Sequence, residues 1–240
     1  MSALLGVLGG MGPLATVDFL GKLIAETPAT RDAEHIPVVV YSVPQIPDRP
    51  KAILENGESP LPAMLEGIRT LKQAGAACIA IPCNTAHYWH EPLVREGGLP
   101  ILHIADAACS RLAASGINAA TVGLIATKGT IAAGFFQERL AARGYRCITN
   151  TAQDLDTLVL PAIECVKRND LDQAHRLATE AAQRLQRQGA QAIILACTEI
   201  PLAIERQPAA IAALCIDATR ALAQDCVAWW QSTQRRTGGT

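Results

Sequence analysis

The sequence predicts an α/β protein with parallel sheets, built from two similar halves. Three observations carry that expectation. Short apolar runs alternate with helical patterns along the whole chain. One unit occurs twice: a helical pattern closed by glycine, an apolar run, then a cysteine followed at once by polar residues. Its first copy ends in Pro82-Cys83-Asn84-Thr85-Ala86-His87 and its second in Ala196-Cys197-Thr198-Glu199-Ile200-Pro201. Finally, the opening pattern Leu4-Leu5-Gly6-Val7-Leu8 is echoed by Ala120-Thr121-Val122-Gly123-Leu124-Ile125. A short apolar run bounded by turn residues reads as a strand buried in a parallel sheet.

Residues 4–8 are the first expected strand. Gly9-Gly10-Met11-Gly12-Pro13 follows, a tight loop that opens a helix with proline near its first turn. Leu14, Val17, Leu20 and Ile24 mark that helix's apolar face. Gly10, Gly12 and Ala15 fit a loose dinucleotide fingerprint, but the next strand, 36–42, does not end in the acidic residue that would hold a ribose. Two other readings of the loop stand beside it: a turn that needs glycine for its shape, or a set of amides that binds a carboxylate. Residues 43–50 hold three prolines, Pro44, Pro47 and Pro50, which exclude regular structure over the stretch and stiffen a loop able to present Arg49. A helix is expected over 61–74, the first cysteine strand over 76–81, a helix over 85–96 and a short strand over 101–104. The pattern restarts near residue 119. The loop Ala126-Thr127-Lys128-Gly129-Thr130 takes the place of the glycine loop. One helix with Ile131, Phe135 and Leu140, a strand over 145–149, helices over 155–167 and 171–188, and the second cysteine strand over 190–195 follow. Residues 214–217 read as a last strand and 218–230 as a last helix, with a frayed polar tail from Gln231. The expected domains are 1–103 with 214–240, the last helix returning, and 104–213.

The chain has 240 residues, half of them apolar, and a formal net charge of -1 without long runs of one sign. This charge pattern lacks the footprint of a nucleic-acid binder. No apolar run reaches membrane-spanning length, and residues 1–8 carry no secretory signal. The eight scattered cysteines therefore read as free thiols in a reducing cytoplasm. Cys78, Cys165 and Cys226 read as small buried hydrophobes.

Cys83 and Cys197 differ because polar residues follow them. Ligands of open α/β sheets sit beyond the carboxyl ends of strands, so the repeat suggests two thiols facing one cleft. Backbone amides and a helix start there lower a thiol's pKa. Three chemistries compete. Cys83, His87 and His90 have helical spacing and could ligate a metal, but no paired cysteine motif accompanies them. Cys83 could attack a carbonyl with His87 or another histidine as base, which leaves Cys197 idle. Proton transfer uses both: a thiolate takes a proton from one face of a carbon and a thiol returns one to the other. The opposing reading is that both cysteines are merely buried, which the polar pairs Asn84-Thr85 and Thr198-Glu199 weigh against.

From about residue 4 to 229 the chain resembles the cofactor-independent aspartate/glutamate racemases, and within them the aspartate racemases. The motifs are Gly-Gly-Met-Gly-Pro-Leu-Ala-Thr from Gly9, Pro-Gln-Ile-Pro-Asp-Arg from Pro44, Pro82 to His87, and Cys197-Thr198-Glu199. The resemblance implies two α/β domains related by a pseudo-two-fold axis with the active site between them, racemisation by Cys83 and Cys197 without pyridoxal phosphate or metal, and a homodimer. It implies a small amino-acid substrate, aspartate or glutamate. Arg49 matches the arginine that binds the substrate's side-chain carboxylate, and Lys167 resembles the partnering lysine in a looser motif. Asn84, Thr85 and Thr198 match positions that hold the α-carboxylate and ammonium, and Met11, Thr127 and Thr130 lie in the two symmetric loops. Rival readings are a diacid isomerase or decarboxylase of the same superfamily, and a non-catalytic dicarboxylate-binding protein.

Overall fold

The computed structural model describes residues 3–116, 121–207 and 210–237. Strand β1 (Leu4–Gly9) leads into helix α1 (Pro13–Glu26), then β2 (Val38–Ser42), α2 (Arg49–Leu54), α3 (Leu61–Gln73), β3 (Ala76–Ala80), a 3-10 turn (Thr85–Trp89), α4 (His90–Gly97) and α5 (Ile104–Ala114). Then come β4 (Thr121–Ala126), α6 (Lys128–Ala133), α7 (Phe135–Ala141), β5 (Arg146–Thr149), α8 (Ala152–Asp154), a π-helical turn (Leu155–Val159), α9 (Leu160–Lys167), α10 (Leu171–Arg187), β6 (Ala192–Ala196), α11 (Glu199–Ile204), a 3-10 turn (Ala210–Leu214), β7 (Cys215–Asp217) and α12 (Ala218–Thr237). The class is α/β with two parallel sheets, as the sequence predicts.

The chain separates into two compact units, Met1–Ala107 with Thr219–Thr240, and Ala108–Ala218. The first holds a sheet in the order β2-β1-β3, the second one in the order β5-β4-β6-β7. Within each, the unit's first strand lies between its second and third, all parallel: Leu5 pairs with Val38 and Cys78, and Leu124 with Thr149 and Ile194. The repeat seen in the sequence is therefore a repeated sheet order. Each sheet has its own core. Leu8, Met64, Ile68, Leu71 and Ile79 are wholly buried in the first, and Ile125, Val166, Leu185 and Ile193 in the second. Each such side chain contributes about 1.5–3 kcal/mol relative to exposure.

Several expectations change. Leu14, Val17 and Ile24 do not face the core; they are 47%, 65% and 61% exposed, and α1 buries Ala15, Thr16, Phe19, Lys22 and Leu23 instead. Lys22 can sit inside because Asp18 bonds its ammonium at 2.7 Å. Residues 101–104 form no strand: one bridge joins Ile101 to Ile79, and Ile104 already starts α5. Residues 85–96 are a 3-10 turn before a short helix. The helix expected through Ile131 and Leu140 breaks at Gly134, whose φ of 76° ends α6. Regular structure resumes at Arg49 because Asp48 caps α2 through the Lys51 amide and Pro50, in the first turn, needs no donor. The sequence places residues 214–217 in the first domain, but β7 pairs with β6, Ile193 opposite Cys215, and belongs to the second unit. Residues 231–237 do not fray; Ser232 and Thr233 turn their hydroxyls onto the carbonyls of Trp229 and Trp230 and the helix continues. The expected restart at 119–120 and the last three residues of the tail lie outside the described residues.

Candidate active site

In the first unit the site residues gather at the carboxyl ends of β1, β2 and β3. Gly9 is paired with Ser42, and the Val43 amide donates to the Gly9 carbonyl at 3.1 Å. This brings the loop after β2 across the loop after β1. Gly10, at φ 93°, sits under that crossing; a Cβ there would lie 2.4 Å from the Val43 backbone. The glycine is thus required by backbone crowding, which removes the need for a dinucleotide to explain it. Thr16 pins the loop, accepting from the Gly10 amide at 2.9 Å and donating to the Gly12 carbonyl at 3.0 Å. Gly12 caps α1 with no side-chain acceptor, so the helix start presents its amides without an internal anion.

Met11, Ile46 and Cys83 share one buried cluster. Arg49 Nη1 donates to the Ile46 and Pro47 carbonyls, both at 3.1 Å, while its Nε is buried without a partner. The loop therefore fixes one edge of the guanidinium and leaves Nε unsatisfied. Beyond β3 the chain turns sharply: the Cys83 amide donates to the Ile81 carbonyl at 2.8 Å, and α2 packs against the following Thr85–Trp89 turn. Thr85 is buried. Asn84 is only 3% exposed, and neither its Nδ2 nor its Oδ1 has a partner. A buried, unsatisfied amide costs free energy and signals a place meant for a ligand or water.

His87 is buried with Nδ1 2.9 Å from the Cys83 carbonyl. Burial pushes its pKa down to about 4, so the ring is neutral at neutral pH. His90 Nε2 lies 2.9 Å from the Ile101 carbonyl. With these ring nitrogens on backbone carbonyls, the Cys83/His87/His90 metal reading loses its donors. Among the described residues no group of three or more His, Cys, Asp or Glu side chains is arranged to hold a metal.

The second unit repeats the placement. Ala126 pairs with Ala196, so Thr127 and Cys197 leave neighbouring strands at the same level. Thr127 caps α6: its Oγ1 accepts from the Thr130 amide at 3.3 Å and lies 3.1 Å from the Thr130 hydroxyl. Cys197 and Thr198 are buried, and both donate to one oxygen of the buried Glu199 carboxylate, Sγ at 3.2 Å and Oγ1 at 3.0 Å. The Cys197 thiol is pushed well above its ordinary pKa, first by burial and then by the Glu199 charge; Lys167, exposed at the end of α9, pulls it down. The expectation that strand-end amides make this a ready thiolate is thus corrected, because burial beside a carboxylate outweighs them. Sequence reasoning assigned no role to Glu199 or to the inward hold of His87. The Cys-Thr-Glu motif could have flagged Glu199, since a carboxylate two residues after a buried thiol must be paired. Met11, Arg49, Asn84 and Thr85 lie in the same unit as Cys83, and Thr127, Thr130, Lys167 and Thr198 in the same unit as Cys197.

Residues 8–226 match the family described as Asp/Glu/hydantoin racemase. The chain belongs to this racemase family. Among solved structures, the Picrophilus torridus aspartate racemase is 32% identical, with a TM-score of 0.83, over 95% of this chain and 94% of that one. The broad-specificity amino-acid racemase RacX of Bacillus subtilis is 27% identical over 96% of this chain and all of its own length. Glutamate racemase RacE1 from Bacillus anthracis shares the racemase fold, at 17% identity and a TM-score of 0.68 over 97% of this chain and 82% of its own. The chain is thus an amino-acid racemase by family and fold. Free thiols at all eight cysteines accompany that fold, and among the described residues no helix is long and apolar enough to cross a membrane.

Proposed function

We propose that this racemase interconverts L- and D-aspartate, using Cys83 and Cys197 as two bases on opposite faces of the α-carbon. One cysteine, as thiolate, takes the α-proton and becomes a thiol. The other, as thiol, gives its proton to the opposite face and is left as thiolate. Protons and charge balance, and reversal of the two roles serves the other enantiomer. The observation that carries the reading is the repeated placement of a buried cysteine at the end of the third strand of each sheet, with polar neighbours. Inversion needs one such group per face; simple binding needs neither.

The α-proton of an ionised amino acid is weakly acidic, so the carbanion-like transition state needs preorganised donors. The unsatisfied Asn84 amide and the Thr85, Thr127, Thr130 and Thr198 hydroxyls, with the amides at the start of α1 near Met11, are suited to the α-carboxylate and ammonium. Glu199 accepts from the Cys197 thiol and so favours its protonated, proton-donating form. Arg49, with its unpartnered Nε, and Lys167 are assigned to the substrate's side-chain carboxylate. No step in this scheme calls for a cofactor. We read the protein as a two-domain cytoplasmic homodimer; free thiols suit that compartment. A second reading, wider amino-acid acceptance including glutamate, is favoured by the RacX likeness.

The test is incubation with single enantiomers of aspartate, glutamate and alanine in deuterated water without cofactor. The expected result is inversion with α-deuterium, fastest for aspartate. Equal rates for all three would favour the second reading, and no inversion of any would refute the proposed aspartate racemisation.

A further inference from the structure

We propose that His87 is a positioning residue for Cys83, its imidazole holding the backbone on which the thiol is mounted. The inference rests on the two-thiol reading above. In an α-helical turn the Cys83 carbonyl would accept from the amide four residues on, that of His87. Here the turn is 3-10, and the His87 amide donates to the Asn84 carbonyl at 3.0 Å. The Cys83 carbonyl loses that donor, and Nδ1 of the same residue stands 2.9 Å from it instead. A carbonyl only accepts, so Nδ1 carries the ring proton. The other nitrogen faces the Leu102 carbonyl at 3.4 Å, and the Leu102 amide donates to Ile79 on β3 at 3.0 Å. A neutral ring that donates through Nδ1 has only a lone pair toward the Leu102 carbonyl, so its hydrogen bond is the one to the cysteine turn, and it rests beside a segment tied to the strand that delivers that turn.

The ring is itself held. His103 and His90 lie 4.8 and 6.1 Å from it, centre to centre, and 4.6 Å from each other. His90 is anchored on the Ile101 carbonyl, and His103 Nδ1 accepts from the Ala105 amide at 3.1 Å. Fixing the Cys83 carbonyl fixes the orientation of its Cα–Cβ bond and so the aim of Sγ. Displacements of about 1 Å at a reacting group can cost about a hundredfold in rate. A histidine that merely fills space would do none of this.

Three variants separate the two roles. His87→Asn keeps an N–H where Nδ1 stands, His87→Gln moves the N–H toward the Leu102 carbonyl, and His87→Leu has none. For each, iodoacetamide alkylation of Cys83 and of Cys197 is followed by peptide mass spectrometry, alongside aspartate kinetics. The expected result for Leu and Gln is Cys83 alkylation several-fold faster than in the parent, Cys197 unchanged, and kcat lower by at least about tenfold with KM little moved. Asn should recover most of both. The proposal is overturned if Asn resembles Leu, or if Cys83 alkylates at the parental rate in all variants. If His87→Leu does not fold, the comparison of Asn with Gln decides. If the parent racemises no amino acid, the racemase reading falls, while the alkylation rates still decide the role of His87.

Discussion

Arg49 bonds its own loop through Nη1 and leaves a buried Nε without a partner. A guanidinium so restrained can grip a carboxylate at fixed distance. Losing such a charged hydrogen bond costs about 1.5–3 kcal/mol, so Arg49→Ala should lower kcat/KM for aspartate by at least about tenfold. Alanine, lacking the side-chain carboxylate, should be a poor substrate and indifferent to the change; equal damage to both would place Arg49 on the α-carboxylate or in the fold. Glu199 presents a different test. Its charge adds to burial in raising the Cys197 thiol pKa. Glu199→Gln removes that charge, so the pH midpoint of Cys197 alkylation should move downward while burial keeps it above an ordinary thiol's. A midpoint that stays put or rises would contradict the role given to the carboxylate.

Helix α1 illustrates which part of the fold the sequence reveals and which it hides. Its existence was legible from the glycine loop, the first-turn proline and the apolar spacing. Its orientation was not. The spacing picks out Leu14, Val17 and Ile24, yet these are exposed, and the core takes Phe19, Leu23 and a lysine neutralised by Asp18. Periodicity reports that a face is apolar, not what covers it. The exposed positions of α1 are Pro13, Leu14, Val17, Gly21, Ile24 and Ala25, none of them charged. Beside it, Val40 and Tyr41 are exposed on edge strand β2. A cavity lined by Leu20, Leu23, Ile24, Ile36, Val38 and Val40 opens on the same side. Protruding and recessed apolar groups on one surface suit a self-complementary two-fold contact. Val17→Lys should therefore convert the expected homodimer to monomer in sedimentation, without loss of helix content; a dimer that persists would move the contact elsewhere. The two cysteine turns stand out in the sequence for a related reason. The cysteine turns break the apolar pattern with polar residues, and that break survives in sequence. The holds made by His87 and Glu199 depend on where a turn is 3-10 and on which carboxylate is buried, neither of which spacing encodes.

For the whole molecule, buried titrating groups set the pH range of stability. His87, held down to about 4, is neutral in the fold but protonates near 6.5 when unfolded; its contribution is present above 6.5 and is lost as pH falls toward 4. Burial holds Cys78 and Cys147 up to about 11 and Cys215 up to about 12, against 9.0 for a free thiol. Their contribution is present below 9 and is lost as pH rises through those values. Tm should thus be highest between about pH 6.5 and 9 and fall on both sides, and Cys78→Ala should make the alkaline fall shallower. A Tm unchanged from pH 9 to 11 would contradict this account. The central claim, two thiols acting on one α-carbon, is tested most directly by aspartate in deuterated water with Cys83→Ser and Cys197→Ser. Each variant should retain the fold and lose inversion, because a serine hydroxyl is a far poorer base, while residual α-proton exchange without inversion is confined to one enantiomer and differs between the two variants. Inversion by either variant at a rate near the parent's would contradict the claim.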